Sequence, residues 1–102
     1  MEFKNATIKQ KANVYHEGKV TSRSVITSSG EMKTLGIMLP GVYHFSTETP
    51  ETIDVLQGHC RVKLADSQAW EDHEEGDSFS IPANSSFEID VQDLLDYVCH
   101  YG

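Results

Sequence analysis

The segment Gly76–Phe87, which reads GDSFSIPANSSF, sets a short run of β-forming residues between two groups of turn-forming residues. Glu75-Gly76-Asp77 precedes this run, and Ala83-Asn84-Ser85 follows it. Glycine, asparagine, aspartate and proline favour turns because they adopt or fix backbone angles that strands avoid. The segment therefore predicts a strand, a tight turn and the beginning of a second strand.

The same alternation of short β-rich runs and turn residues extends along the whole chain. The best helical candidate is Asp90–Asp96, but it leads directly into Tyr97–Tyr101, which is rich in β-forming residues. Further turn residues stand at Glu17-Gly18, Ser28-Ser29-Gly30, Pro40-Gly41, Thr49-Pro50, Gly58 and Ala65-Asp66-Ser67. About nine short strands in one domain predict an all-β sandwich or barrel.

The length of the chain limits it to one domain. A chain of 102 residues can bury a single modest core, so we expect one domain over residues 1–102, with residues 1–11 as a frayed extension. No apolar run approaches the roughly 18 residues that a membrane span needs, and the first ten residues lack the apolar core of a signal peptide. We therefore expect no membrane partner and a cytoplasmic location.

The charge of the chain is acidic and uneven. Eight Lys and Arg residues against sixteen Asp and Glu residues give a net charge of −8, which argues against nucleic acid as a partner. Residues 1–33 carry a net charge of +3, whereas residues 34–102 carry −11. Residues 66–77 hold six acids and no Lys or Arg, and we expect an exposed loop there that Trp70 anchors in the core.

The opening segment resembles the second sequence motif of the cupins. That motif reads Gly, five residues, Pro, one residue, Gly, two residues, His, and here Gly76 and Pro82 stand in the expected places. Asn84 replaces the second glycine, which is reasonable because asparagine tolerates a positive φ angle. Phe87 stands where the cupins have a metal-binding histidine.

The first cupin motif is matched only in part. Glu51 and Gly58 keep its Glu-to-Gly spacing, and counting back from Glu51 places Phe45 and Thr47 at its two histidine positions. The resemblance implies a single-domain, cupin-like β-barrel of the jelly-roll type that lacks three of four metal ligands.

The remaining donors do not make a metal site. One carboxylate cannot hold a transition metal without the imidazoles that such a site needs. A gap longer by one residue would place His44 and Ser46 at the histidine positions, but strand alternation then turns His44 away from Phe45 and Thr47. We expect no metal and no other cofactor.

More narrowly, Tyr15–Tyr101 resembles the small bacterial pyrimidine/purine nucleoside phosphorylases. The resemblance implies phosphorolysis with broad specificity, in which a nucleoside and inorganic phosphate give the free base and ribose 1-phosphate, and it implies a homodimer. The chain departs from the family at His100, where we expect an arginine in relatives, and near Met32, where we expect a basic residue. The matching segments are Tyr15–Ser22, Leu35–Met38, Gly41–Thr47, Pro50-Glu51, Gly58, Trp70, Gly76–Phe87 and Tyr97–Tyr101.

The resemblance and strand alternation together suggest an inward-facing site. Tyr43, Phe45 and Phe87 offer a surface on which a base stacks, although Phe45 and Phe87 serve equally well as a plug for a barrel without a cavity. Glu51 is the candidate that accepts hydrogen bonds from ribose hydroxyls or stabilises the cationic sugar.

Hydroxyl and basic residues complete the expected site. Thr47 and Ser46 are candidates to donate to phosphate or ribose, with Thr47 counted as catalytic together with Glu51. Lys19 is the preferred lysine for the anion, and His100 is a second basic candidate. Sequence alone leaves open whether Tyr97 and Tyr101 or their alternating neighbours face inward.

Two other functions fit parts of the pattern. A non-enzymatic cupin that binds a small ligand without metal explains the missing histidines equally well, because a fold does not specify a reaction. A metal-independent sugar isomerase or epimerase needs an acid–base pair in the barrel, and Tyr43 with His44 does not supply one because adjacent strand residues face opposite ways.

Overall fold

A computed structural model describes residues 2–102 and shows two antiparallel β-sheets packed face to face. Over these residues the chain forms eleven strands, more than the nine expected because several of them are only two to four residues long. A single 3₁₀ turn, His16–Gly18, lies between the second and third strands. The strands are β1 Thr7–Ile8, β2 Asn13–Tyr15, β3 Val20–Ile26, β4 Met32–Met38, β5 Gly41–Ser46, β6 Glu51–Gln57, β7 His59–Leu64, β8 Glu71–Glu74, β9 Ser78–Ile81, β10 Ser86–Val91 and β11 Leu95–Tyr101.

The connections between the sheets give the fold its barrel form. The larger sheet has the order β1-β3-β4-β11-β6-β9, with β2 also paired to β3, and the smaller sheet has the order β5-β10-β7-β8. From β4 onward, every connection except β7–β8 passes from one sheet to the other. All of the strand pairs are antiparallel. The prediction of an all-β domain is confirmed.

The core lies between the two inner faces and follows the period-two alternation of the strands. In β5 and β6 the buried residues alternate with exposed or half-buried ones, so that Tyr43, Ile53 and Val55 face inward. Ile89 in β10 is fully buried by the opposite sheet. Each aliphatic side chain buried in this way contributes about 1.5–3 kcal/mol, so the inner faces hold the sheets together.

Two regions differ from the expectation of exposed coil. Within the acidic stretch 66–77, residues Glu71–Glu74 form β8 and pair with β7. Trp70 is not anchored in the core; its ring packs against the cationic groups of Arg61 and Lys63, at 5.1 and 5.8 Å from the ring centroid. Arg61 and Lys63 alternate with buried residues of β7, so Trp70 covers the outer face of the smaller sheet.

The N-terminal extension is also partly ordered against the larger sheet. Thr7 and Ile8 form β1 and pair with Ile26 and Val25 of β3, while Met1 lies outside the described residues. The helical candidate at Asp90–Asp96 is instead the end of β10, a bend and the beginning of β11.

Turn geometry explains two of the residues that punctuate the sequence. Asn84 adopts φ +52°, the left-handed conformation expected for the residue that replaces a motif glycine. Gly58 adopts φ +103° in the tight turn between β6 and β7, and a Cβ atom there would come 2.2 Å from the carbonyl oxygen of Leu94. Backbone angle and space both require glycine at position 58.

The crowding at Gly58 predicts a large loss of stability on substitution. Gly58→Ala combines a disfavoured φ angle with a backbone clash, and we expect the free energy of unfolding to fall by about 3 kcal/mol. Gly30→Ala is the matched control, because Gly30 has φ +91° but open space around it, and it should cost about 1 kcal/mol. Urea denaturation of both variants measures the difference, and equal losses would contradict the steric account.

Candidate functional site

A cavity of about 160 Å³ lies between the inner faces of the two sheets. The larger sheet supplies most of its polar side chains, and the smaller sheet supplies an aromatic wall. The lining residues at its solvent-exposed edge include Tyr15, Ser46 and Tyr101. The full lining consists of Tyr15, Val20, Ser22, Thr34, Met38, Phe45, Ser46, Glu51, Ile53, Phe87, Tyr97, Cys99 and Tyr101.

The aromatic wall is built by the pairing of β5 with β10. The register places Phe87 opposite Phe45, and the two rings stack with centroids 5.6 Å apart and planes 30° apart. Tyr15 extends the wall from β2, with its ring edge-on to Phe45 at 6.4 Å. Offset and edge-on arrangements of this kind are the favoured geometries of aromatic pairs.

The 3₁₀ turn packs against the rings of this wall and of Tyr43. His16 and Glu17 both have positive φ angles, +50° and +60°, which are uncommon for residues other than glycine. The ring of His16 lies 5.0 Å from that of Tyr43 and 5.1 Å from that of Phe45. Such a backbone conformation costs free energy and persists only where the surroundings fix it, as aromatic packing does here.

The polar floor of the cavity comes from neighbouring strands of the larger sheet. Ser22 of β3 and Thr34 of β4 are polar side chains with only 6% of their surface exposed. Tyr97 of β11 lies over Gly36, where an added Cβ would come within 2.7 Å of the phenol carbon Cζ and the hydroxyl oxygen. Tyr101 places its hydroxyl 3.3 Å from that of Thr34.

One carboxyl group lies in this cavity. Glu51 faces Tyr101 across the β6–β11 pairing, and its Oε1 accepts a hydrogen bond of 3.4 Å from the Cys99 thiol. Burial raises the pKa of Glu51 above its ordinary value, and the hydrogen bond from Cys99 opposes the rise only in part. The carboxyl group is therefore easier to protonate than an exposed glutamate.

The thiol and the phenol at positions 99 and 97 of β11 stay neutral near neutral pH. Burial raises the pKa of the Cys99 thiol to about 12, and the Glu51 carboxylate nearby adds to the rise. Burial likewise raises the pKa of the Tyr97 phenol to about 12. A thiol that does not ionise near neutral pH is not a nucleophile, so Cys99 acts as a core residue and a hydrogen-bond donor.

Four of the site residues suggested by the sequence line the cavity together: Phe45, Ser46, Glu51 and Phe87. Tyr43 and Thr47 face inward as expected but do not line it. Tyr43 is buried below the wall, and its hydroxyl donates 2.7 Å to the carbonyl oxygen of Leu39.

Thr47 lies in the turn region beside the cavity. Its hydroxyl donates 2.7 Å to the carbonyl oxygen of Pro82 and accepts 3.0 Å from the backbone N–H of Ser85. With donor and acceptor capacity both used, and with 6% of its surface exposed, Thr47 holds the β9–β10 turn and has no contact with the cavity.

The two basic candidates also lie elsewhere. Lys19 is exposed after the 3₁₀ turn. His100 lies on the outer face of the larger sheet, where its Nε2 is 2.6 Å from Oδ2 of Asp54. Partial burial acts to raise the pKa of Asp54, but hydrogen bonds from Ser78 and His100 more than offset it and lower that pKa. The pairing with Asp54 explains the position of His100 without any ligand.

Sequence reasoning missed the floor. The sequence does not suggest these lining residues of the floor: Ser22, Thr34, Tyr97 and Tyr101. It also does not suggest Tyr15, which extends the wall. Alternation along β11 leaves open whether Tyr97 and Tyr101 or their neighbours face inward. In the structure Tyr97, Cys99 and Tyr101 face inward. Small polar residues on β3 and β4 carry no hydrophobic pattern, so only the strand pairing identifies them.

The donors at the cupin metal positions do not fit a metal. Phe45, Thr47 and Phe87 offer no imidazole or carboxylate, which leaves Glu51 as the single strong donor. Among residues 2–102 no group of three or more His, Cys, Asp or Glu side chains is arranged to hold a metal ion.

Comparisons with known proteins agree on one family. A family model described as pyrimidine/purine nucleoside phosphorylase matches residues 10–101. The pyrimidine/purine nucleoside phosphorylase of Syntrophotalea carbinolica is 49% identical over 100 residues, which cover 98% of this chain and 96% of that protein.

Solved structures support the fold. A protein of unknown function from Acinetobacter sp. ADP1 matches with a TM-score of 0.96 and 42% identity, over 99% of this chain and 98% of the other. A cupin superfamily protein from Desulfitobacterium hafniense DCB-2 matches with a TM-score of 0.68 over 87% of this chain and 82% of the other, at 14% identity. The cupin-like fold expected from the sequence is confirmed.

The raised pKa of Glu51 predicts how its replacement alters stability. Above that pKa the ionised carboxylate destabilises the folded state, and as the pH falls the folded state takes up the proton before the unfolded state does. Glu51→Gln should therefore be more stable than the wild type at neutral pH. The difference should vanish below the ordinary range of glutamate, about pH 4.

Urea unfolding across this pH range measures the effect. Glu48→Gln is the matched control, because it removes one negative charge from an exposed side chain three residues away. If Glu51→Gln gains no more stability than Glu48→Gln at neutral pH, the buried carboxylate carries no penalty and the prediction is wrong.

Proposed function

The chain belongs to the pyrimidine/purine nucleoside phosphorylase family, and from that premise we propose a broad-specificity, metal-independent phosphorolysis of pyrimidine and purine nucleosides. The substrates are a nucleoside and inorganic phosphate, and the products are the free base and ribose 1-phosphate. In this role the protein is a pentosyltransferase without a cofactor.

The observation that carries the proposal is the two-sided cavity. One side is an aromatic wall of Tyr15, Phe45 and Phe87, and the other is a floor of hydroxyl groups beside Glu51. A nucleoside has the same two sides, since its base is flat and apolar on its faces and its ribose carries hydroxyls. The wall stacks on the base and the floor binds the sugar.

The volume fits part of a nucleoside. A cavity of about 160 Å³ is smaller than the roughly 300–1,000 Å³ of sites that enclose a drug-sized ligand. One part of the nucleoside therefore lies inside and the rest lies toward the exposed Tyr15 and Tyr101. Because stacking depends on a ring face that every base has, this arrangement accepts pyrimidines and purines alike.

The reaction joins an oxygen of phosphate to C1′ and breaks the bond from C1′ to the base nitrogen. The bonding electrons leave with the base, and the proton that phosphate brings ends on the base. Positive charge builds on the sugar as the base departs, and the carboxylate of Glu51 stabilises it. Holding phosphate, sugar and base in line supplies much of the remaining acceleration.

We also propose a cytoplasmic homodimer. Leu35 and Leu56 lie on the outer face of the larger sheet with 38% and 48% of their surface exposed, and both would be covered by a second copy. Cys60 and Cys99 are both free and buried, which fits a reducing compartment. Among the described residues no helix is long and apolar enough to cross a bilayer.

The test of the reaction is release of free base from uridine, inosine and adenosine by protein dialysed against a chelator. We expect release from all three that requires phosphate. Phe45→Leu should raise the KM for nucleoside about tenfold, because it removes one stacking ring, and Val42→Ala on the outer face of the same strand should not. Glu51→Gln should lower kcat by about 10²-fold.

Three outcomes would contradict the proposal. Release without phosphate would indicate a hydrolase, and release abolished by the chelator would indicate a metal. No release at any phosphate concentration would favour the non-enzymatic ligand-binding cupin.

The dimer has its own test. Sedimentation of the wild-type chain should give twice the mass of 11.4 kDa, and Leu35→Asp should reduce it to that of one chain. Val42→Asp, which places the same charge on an exposed apolar residue of the smaller sheet, is the control. A monomeric wild type, or a dimer that survives Leu35→Asp but not Val42→Asp, would overturn this interface.

A further inference from the structure

Four side chains gather at the Glu51 end of the cavity. The strand register places Glu51 of β6 beside Tyr101 of β11. It places Thr34 of β4, on the other side of β11, beside Cys99. Cys99 donates to Oε1 of Glu51, and the hydroxyls of Thr34 and Tyr101 are 3.3 Å apart. We call these residues the Glu51 cluster. The second carboxylate oxygen, Oε2, makes no hydrogen bond with any of residues 2–102.

The charge of the Glu51 cluster is negative, which is unusual for a site that binds an anion. No Lys, Arg or His side chain is among the described residues that line the cavity. The bases nearest in sequence to the floor, Arg23 and Lys33, alternate with the inward-facing Ser22 and Thr34 and so lie on the opposite face of the sheet. Cys99 and Tyr97 remain neutral, which leaves Glu51 as the charged group.

Such a site distinguishes anions by their protons. Hydroxyl groups donate to any oxyanion, whereas a carboxylate repels an oxyanion unless a proton lies between the two. Phosphate and arsenate carry at least one proton near neutral pH, and sulfate carries none. A protonated oxygen of phosphate donates a hydrogen bond to Oε2. The oxygens of sulfate are acceptors only, so sulfate and Oε2 repel each other.

We propose that Glu51 selects the anion, so that the cavity binds phosphate or arsenate through a proton shared with the carboxylate and excludes sulfate. The placement of phosphate in this cavity rests on the proposed function. Glu51 is then the group that discriminates among tetrahedral anions, and the shared proton allows an acidic cavity to bind phosphate. This discrimination does not depend on which base the enzyme prefers.

The raised pKa of Glu51 is consistent with this role. The carboxyl group takes up or shares a proton more readily than an exposed glutamate does, and every titratable neighbour that faces it is a thiol or a phenol. These neighbours are Cys99 and Tyr101 on β11, with Tyr97 on the same strand and Tyr15 across the cavity. None of them competes for the proton as a second carboxylate would.

The experiment measures anion binding without nucleoside. Wild-type protein is titrated with sodium phosphate, sodium arsenate and sodium sulfate at pH 7 and constant ionic strength, and dissociation constants come from calorimetry. We expect phosphate and arsenate to bind with similar affinity, and sulfate to bind at least about tenfold more weakly because it has no proton to share with Glu51. The amide of Glu51→Gln donates to sulfate, so this variant should bring the ratio to within about twofold.

Glu48→Gln is the control, because it removes the same charge outside the cavity and should keep the wild-type ratio. Sulfate bound by the wild type as tightly as phosphate would overturn the inference, and so would an unchanged ratio in Glu51→Gln. The wild-type ratio is decisive even if Glu51→Gln does not fold. Selective binding of phosphate without any release of base would overturn the proposed function and leave anion selection standing.

Discussion

The candidate site depends on the stack of Phe45 on Phe87. The β5–β10 register sets these residues opposite each other, and both stand where the cupin motifs have metal-binding histidines. In a cupin the imidazoles at these positions would coordinate a metal ion, whereas here two aromatic rings make an apolar contact. The stack closes the smaller sheet against the larger one on one side and leaves a ring surface exposed to the cavity on the other. The remaining features are arranged around that surface.

Electrostatics limit what the cavity can hold. The chain has a net charge of −8, and the charge inside the cavity is also negative. The basic residues of the smaller sheet lie outside, where Arg61 pairs with Asp90 at 2.6 Å and packs on Trp70. Apart from Glu51, the polar groups that line the cavity are therefore neutral hydroxyl and thiol groups. Such donors contribute hydrogen bonds to a ligand without the fixed charge that would attract every anion alike.

The sequence predicts the all-β, cupin-like fold and four of the residues that line the cavity, for identifiable reasons. Strand alternation combined with the spacing of Glu51, Gly58 and Pro82 places Phe45, Phe87 and Glu51 correctly, because a buried face imposes period two. Charge alone suggests Lys19 and His100, and charge does not reveal that Lys19 follows a turn or that His100 lies on the outer face of a sheet. The floor was missed because its serine and threonine become neighbours only through strand pairing. β8 was missed because an all-polar strand shows no alternation of hydrophobicity.

Thr47 stands at one of the histidine positions of the first cupin motif and bonds to Pro82 and Ser85 of the second. In a cupin with its full set of histidines, one shared ion ties the two motifs together. Here the Thr47 hydroxyl adds a link between them, beside the β5–β10 pairing and outside the lining of the cavity. This link between the motifs is separate from the side chains of the floor, so a substitution in the floor leaves the bonds of Thr47 to the β9–β10 turn in place.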